Sequence, residues 1–195
     1  ADGNENETAE HIDEASEAHA GEVSDWTIDT EKSSVRWEGG TSGAQVYSHF
    51  GQIKIKEGKL STEGDMVKQG NIVIDMSTIV PQDEGYYSEE HPASDLVGHL
   101  SSPDFFDIAN HPSAAFQVTG IEGNQVKGQL TVRGITHEEI IMLDAFAPNE
   151  DGTAHIAGNL NFDRQKYDVK WAHYLQDVIL SDNIMLQFDI IAKKA

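Results

Sequence analysis

From Trp26 onward, apolar and polar residues alternate with a period of two, the pattern of strands that bury one face. Val35 and Trp37 alternate with Arg36 and Glu38, and Ile53 and Ile55 with Lys54 and Lys56, ahead of a Glu57-Gly58 pair that reads as a turn. Ile72, Ile74 and Met76 share one face, with Asp75 on the other. Phe116 and Val118 alternate with Gln117 and Thr119, and Glu122-Gly123-Asn124 reads as a hairpin loop. Val126, Leu130 and Val132 alternate with Lys127, Gln129 and Thr131 until Gly134 ends the strand. Residues 139–147 form a further strand, apolar on both faces for part of its length. Ile156, Leu160 and Phe162, then Ile184, Leu186, Phe188 and Ile190, complete the set. The pattern predicts an all-β fold of about eight antiparallel strands. A sandwich or a closed barrel would put the apolar faces together, and the pattern does not choose between them.

One connection is long and irregular, running from Val80 to Ser113. Residues 81–94 are a polar excursion, and Ser94-Asp95 is the expected cap of a short helix over 95–101. Phe105 and Phe106 follow between Pro103 and Pro112. Two rings in so polar a segment must be buried, so they are expected to plug a hole made by other elements. Asp104 and Asp107, which bracket them, read as turn caps.

Charge narrows the class. The net charge is −21, and residues 1–25 carry nine of the acids with no Lys or Arg. Such a balance opposes nucleic-acid or anionic-membrane binding, which needs a basic footprint. Residues 1–24 have too little apolar surface to offset ordering entropy and read as a disordered acidic tether before a single domain, 25–195. There is no cysteine, which removes disulfides, thiolate metal sites and Cys nucleophiles. No apolar run is long enough for a transmembrane helix. The chain opens on Ala1 rather than Met, as a processed product would.

A set of motifs then stands in order: Trp26-Thr-Ile-Asp-Thr30, Ser34-Val-Arg-Trp37, Ser48-His-Phe-Gly51 and the run from Gly70 to Ile79. After them come Leu96-Val-Gly-His-Leu-Ser-Ser-Pro-Asp-Phe-Phe-Asp107, His111-Pro-Ser-Ala-Ala-Phe116, the run from Gly128 to Thr136, and Phe162-Asp-Arg-Gln-Lys-Tyr-Asp-Val169. Together they resemble the YceI-like polyisoprenoid-binding family, from about Trp26 to Lys193. The resemblance implies an extended, lipocalin-like antiparallel β-barrel whose apolar interior holds a long-chain amphiphile such as a polyisoprenoid or isoprenoid quinone. It also implies export to the bacterial periplasm, soluble or lipid-anchored, and leaves room for a homodimer. The chain departs from the family at Asp168, where Gly is usual, and at Ala172-His173, where a small pair is usual.

The candidate cavity lining is Val35, Trp37, Phe116, Val118, Leu130, Ile156, Leu160, Phe162, Leu186 and Phe188, with Phe105 and Phe106 at the mouth. The alternative is a filled core, common in small barrels. Arg164 and Tyr167 either anchor a polar head group or fix their own loop, Arg164 pairing with Asp163. Among nine histidines, His49 and His99 belong to the motifs above and His91 and His111 flank the same segment, but no pair has zinc-site spacing, and no metal or cofactor is expected. No nucleophile–base constellation is evident, so a carrier or sequestering protein for an apolar chain is the leading reading and an enzyme is not expected. Its competitors are an envelope interaction module with a filled barrel and a metal-dependent hydrolase.

Overall fold

The computed structural model describes residues 21–43, 46–84, 87–172 and 178–195. The expected tether falls almost wholly on residues 1–20, outside them. In chain order the elements are β1 (Val23–Ile28), β2 (Ser34–Gly43), β3 (Ser48–Glu63), β4 (Met66–Pro81), α1 (Ala93–Ser101), β5 (Ser113–Glu122), β6 (Gln125–Val132), β7 (Ile135–Pro148), β8 (Thr153–Asp163), β9 (Val178–Leu180) and β10 (Asn183–Lys194). A short 3-10 turn, Arg164–Tyr167, follows β8.

Between the two architectures the alternation allowed, the chain adopts the closed antiparallel barrel of eight strands. Neighbours in sequence pair from β2 to β8, β8 pairs with β10, and β10 returns to β2 through Leu186 opposite Trp37 and Phe188 opposite Val35. β1 is not a ninth stave. It continues the same lane as β2, pairing with the far ends of β10 and β3 (Trp26 opposite Lys194 and Leu60) while β2 pairs with their near ends. β1 itself starts at Val23, two residues ahead of residue 25. Trp26 seals the joint by donating its indole N–H to the buried Thr62 hydroxyl at 3.0 Å.

The two ends of the barrel differ. Tight turns after β3, β5 and β7 close one end, with left-handed glycines at Gly64, Gly123 and Gly152. All the long connections gather at the other end: 82–112 with α1, and 164–182 with the 3-10 turn and β9. Long, irregular connections on a rigid scaffold are where binding residues are usually placed.

Three expectations change. Glu57-Gly58 is not a turn; both residues lie inside β3, opposite Val73 and Ile72. The glycine serves a close approach instead, since a Cβ there would stand 2.4 Å from the Ile28 Cδ1 packed over it. The helix starts two residues early, at Ala93, with Pro92 as its N-cap and no side-chain cap bond from Ser94 or Asp95. Asp95 instead sits in the first turn, where a carboxylate complements the helix dipole. The doubly apolar stretch of β7 is buried on one face only, with Ile141 inside and Ile140 38% exposed, and a bulge follows between Leu143 and Ala145. The bulge shifts the inward phase, so that Ile141 and then Phe146 face the core, the latter edge-on to Trp26 at 5.9 Å.

The glycine of the Ser48-His-Phe-Gly51 motif is set by pairing with β4. A Cβ on Gly51 would lie 1.9 Å from the Val80 carbonyl oxygen and 2.8 Å from Trp37, whereas one on Gly39 would meet nothing within 4 Å. Gly51→Ala is therefore expected to destabilise the fold by roughly 3 kcal/mol, and Gly39→Ala by less than about 0.5 kcal/mol. Urea unfolding of both variants against the parent checks this pair.

Candidate ligand cavity

The barrel is hollow beneath its open end, with a cavity of about 210 Å³ walled almost entirely by carbon. Val35 and Trp37 of β2 stand beside Phe188 and Leu186 of the adjoining β10 on one wall, and Phe116, Leu130 and Phe162 continue the lining. Phe105 and Phe106 form part of the roof beside Leu100. They meet edge to face at 4.8 Å and are 6% and 7% exposed, so they belong to the core and to the cavity at once. Val118 and Ile156 line a second, smaller cavity of about 70 Å³ deeper in the barrel. Leu160 borders neither; at 1% exposure it is packed within the wall. Ile72, Phe116, Ile141 and Phe188 border both spaces and form a waist between them. The Phe116 ring reaches inward over Gly128, where a Cβ would stand 2.4 Å from it.

The plug is held by its own turn and by an arginine. Phe106 N–H donates to the Leu100 carbonyl, Asp107 N–H to Ser102, and Ile108 N–H to Ser101. Asp107 turns the chain at φ 48°, and Asn110 Nδ2 donates to its carboxylate at 3.0 Å. Arg133, which reads from sequence as a strand end, ties two segments together. Its Nη1 donates to the carbonyls of Phe105 and Asp168, both at 2.9 Å. The departure from the family at Asp168 is explained by geometry: the residue sits at φ 60°, ψ 21°, a left-handed conformation that Gly favours and Asp tolerates. Of the other departure, Ala172 is exposed and His173 lies outside the described residues.

Arg164 is 3% exposed and borders the cavity, yet its guanidinium is already occupied. Nε donates to Ser181 O at 3.0 Å, Nη1 to the carbonyls of Val169 and Trp171, and Nη2 to Leu180 O and Asp182 Oδ1. Five N–H groups meet five acceptors, all that a guanidinium has to offer. The geometry therefore favours loop fixing over a head-group role. The ion-pair partner is Asp182 rather than Asp163, whose carboxylate instead caps the 3-10 turn through Gln165 N–H at 2.8 Å. Tyr167, fully buried, donates its hydroxyl to Glu139 at 3.0 Å. Burial raises its phenol pKa, and the Glu139 carboxylate beside it raises it further.

A polar network at the rim involves residues of the polar excursion over 81–94 that the sequence pattern does not single out. Asp83 is 6% exposed. It receives His49 Nδ1 at 2.8 Å, the Tyr87 hydroxyl at 3.0 Å and Phe50 N–H at 3.2 Å. Burial pushes this carboxyl up, but the hydrogen bonds outweigh burial and hold it below its ordinary value. His49 also lines the cavity, with Tyr47 edge-on at 5.2 Å. His99, on α1, lines it too, between Phe105 and Trp171. Its Nε2 is the one buried side-chain nitrogen or oxygen among the described residues without a hydrogen-bond partner. Such an orphan costs roughly 1–3 kcal/mol.

The four histidines noted in the sequence stand in different settings. His49 is bound to Asp83, His91 is exposed, and His111 lies 3.9 Å from Asp107. Among the described residues no group of three His, Cys, Asp or Glu side chains could hold a metal.

A closed barrel with an apolar, aromatic-roofed cavity at its open end defines the class of small β-barrel proteins with room for an apolar ligand. The YceI-like domain model matches residues 26–192, and the chain belongs to that family. A UPF0312 protein of Staphylococcus epidermidis is 27% identical over 161 residues, covering 73% of this chain and 91% of that one. One from Staphylococcus aureus is 24% identical over 152 residues, covering 75% and 80%. Among solved structures, Burkholderia cenocepacia BcnA superposes with a TM-score of 0.63 at 19% identity, over 85% of this chain and 99% of its own. A polyisoprenoid binding domain from Saccharophagus degradans, implicated in plant cell wall breakdown, superposes at 0.53 with 12% identity, over 87% and 98%. At these identities the likeness to the solved structures shows the fold.

The Asp83 network carries a pH signature. Its carboxyl titrates lower in the folded state than in the unfolded chain, so its stabilisation is complete above the unfolded value and is lost as pH falls through the folded one. Asp83→Asn is expected to lower stability at pH 7 and to flatten the loss seen below about pH 4. Thermal melts of parent and variant between pH 3 and 7 measure both effects.

Proposed function

We propose that the protein binds a long-chain apolar molecule, such as a polyisoprenoid or isoprenoid quinone, and carries or sequesters it without chemical change. The observation that carries this reading is the carbon-walled cavity of about 210 Å³ under the aromatic roof. A filled barrel, as an interaction module would have, leaves no such space. The fold shared with a polyisoprenoid binding domain from Saccharophagus degradans supports the ligand class.

Size limits what is enclosed. Ordinary ligand pockets run to about 300–1,000 Å³, so the main cavity takes only the terminal stretch of such a chain. About ten buried carbons would contribute about 8 kcal/mol, a micromolar affinity before ordering costs. For a longer tail to go deeper, Phe116 and Phe188 at the waist would have to rotate and join the second cavity to the first. Work in the bacterial periplasm, which the family resemblance implies, is part of the same proposal; cell fractionation of the native host tests it.

Protein purified without detergent is expected to yield an isoprenoid or similar lipid on organic extraction and mass spectrometry. Ala114→Phe, which fills the cavity from β5, should abolish uptake of a fluorescent prenol while far-ultraviolet circular dichroism stays unchanged. Empty extracts from several hosts, together with no prenol uptake by the parent, would sink the proposal.

A further inference from the structure

The geometry points to His99 as the hydrogen-bonding contact for the ligand's polar end, in a site that selects an uncharged head, an alcohol or an amide, over a carboxylate or phosphate. This rests on reading the cavity as a lipid site and adds the head-group chemistry. Three observations converge on it.

The first is the orphaned Nε2. His99 lies on the inward side of α1 with Leu96 and Leu100, and all three border the cavity at its open end. Its ring is set against Phe105 at 5.5 Å and Trp171 at 4.6 Å, and Nε2 meets neither solvent nor a polar partner among the described residues. Buried polar atoms are almost always satisfied, so an unsatisfied one beside an empty space marks where a ligand atom belongs. In the empty cavity the atom is covered. A ligand group reaches it when one of the two flanking rings yields. The Trp171 backbone is held in place, its carbonyl accepting from Arg164 Nη1 at 3.1 Å.

The second is charge. Burial pushes the His99 imidazole toward its neutral form, and Asp104 opposes this without cancelling it. A neutral imidazole nitrogen is either an N–H donor or a lone-pair acceptor, depending on tautomer, and a hydroxyl or an amide satisfies both.

The third is the lack of an available cation. Among the described residues, Arg164 is the only Lys or Arg bordering the cavity, and its five N–H groups are spent on four backbone carbonyls and Asp182. A carboxylate or phosphate would find no free charged donor there and would enter the field of a chain with net charge −21. The tail then points down toward the waist and the uncharged head stays under the roof.

The test compares geranylgeraniol with geranylgeranyl phosphate, which share one tail, by titration into the delipidated full chain. The alcohol is expected to bind at least about tenfold tighter, the worth of one good hydrogen bond. His99→Leu, which removes an unsatisfied polar atom and so should fold, is expected to weaken the alcohol about tenfold and erase the preference. His99→Gln should restore part of it. In long-range proton–nitrogen spectra of the imidazole, the His99 Nε2 signal should move with the alcohol and stay still with a hydrocarbon of equal length. If the parent and His99→Leu bind both compounds alike, the imidazole merely packs against Trp171 and the inference falls while the lipid reading stands. If the parent binds neither, the lipid reading itself fails.

Discussion

The molecule depends on closure. Eight staves can satisfy every backbone hydrogen bond only if the last strand finds the first, and here β10 meets a lane made of two separate strands. Splitting that lane lets the chain step through 29–33 between β1 and β2 while each half stays paired on both sides. No edge is left along the split lane, and β9 extends the pairing of β2 at the open rim through Thr41–Gly43. An eight-stranded interior can be filled by side chains or hold a small ligand, and here large side chains meet between the two cavities at the waist formed by Ile72, Phe116, Ile141 and Phe188.

The open end needs separate support, since its connections lack a continuous ladder. Two arginines supply it. Arg164 gathers 169–171 with 180–182, and Arg133 joins the plug to Asp168. The Asp83 network adds a third clasp, between β3 and the segment after β4. Each uses charge-assisted bonds to carbonyls or carboxylates, stronger than neutral ones and able to hold irregular backbone. The roof is thus fixed at its margins by polar bonds and at its centre by aromatic contact, while the space below stays apolar.

Much of this was legible in the residues. Strict alternation in β2, β8 and β10 gave the inward faces, and nine of the twelve expected lining residues border the main cavity. The paired phenylalanines between prolines pointed to a plug because nothing else could account for two buried rings there. Other features were hidden for physical reasons. Leu160 has the same alternation as its neighbours on β8, and only packing density separates a wall residue from a lining one. Gly58 resembles a turn signal because sequence does not reveal which side chain will lie over it. Asp83 sits in a polar stretch, and its burial depends on partners 33 and 34 residues away. Arg164 and Tyr167 stand out in the sequence as polar residues in a motif. Which of their two roles applied turned on whether acceptors from distant loops would saturate the guanidinium.

The direction in which the chain enters has an architectural consequence. Gly21 lies against Gly64, and Glu22 O accepts from Gly64 N–H, in the tight turn that closes the barrel floor. The other terminus finishes beside it, where Ala195 N–H donates to Asp25 O. Gly21 and Ala195 therefore both lie at the pole opposite the aromatic roof. A contact made at that pole would leave the open end, and the cavity beneath it, uncovered.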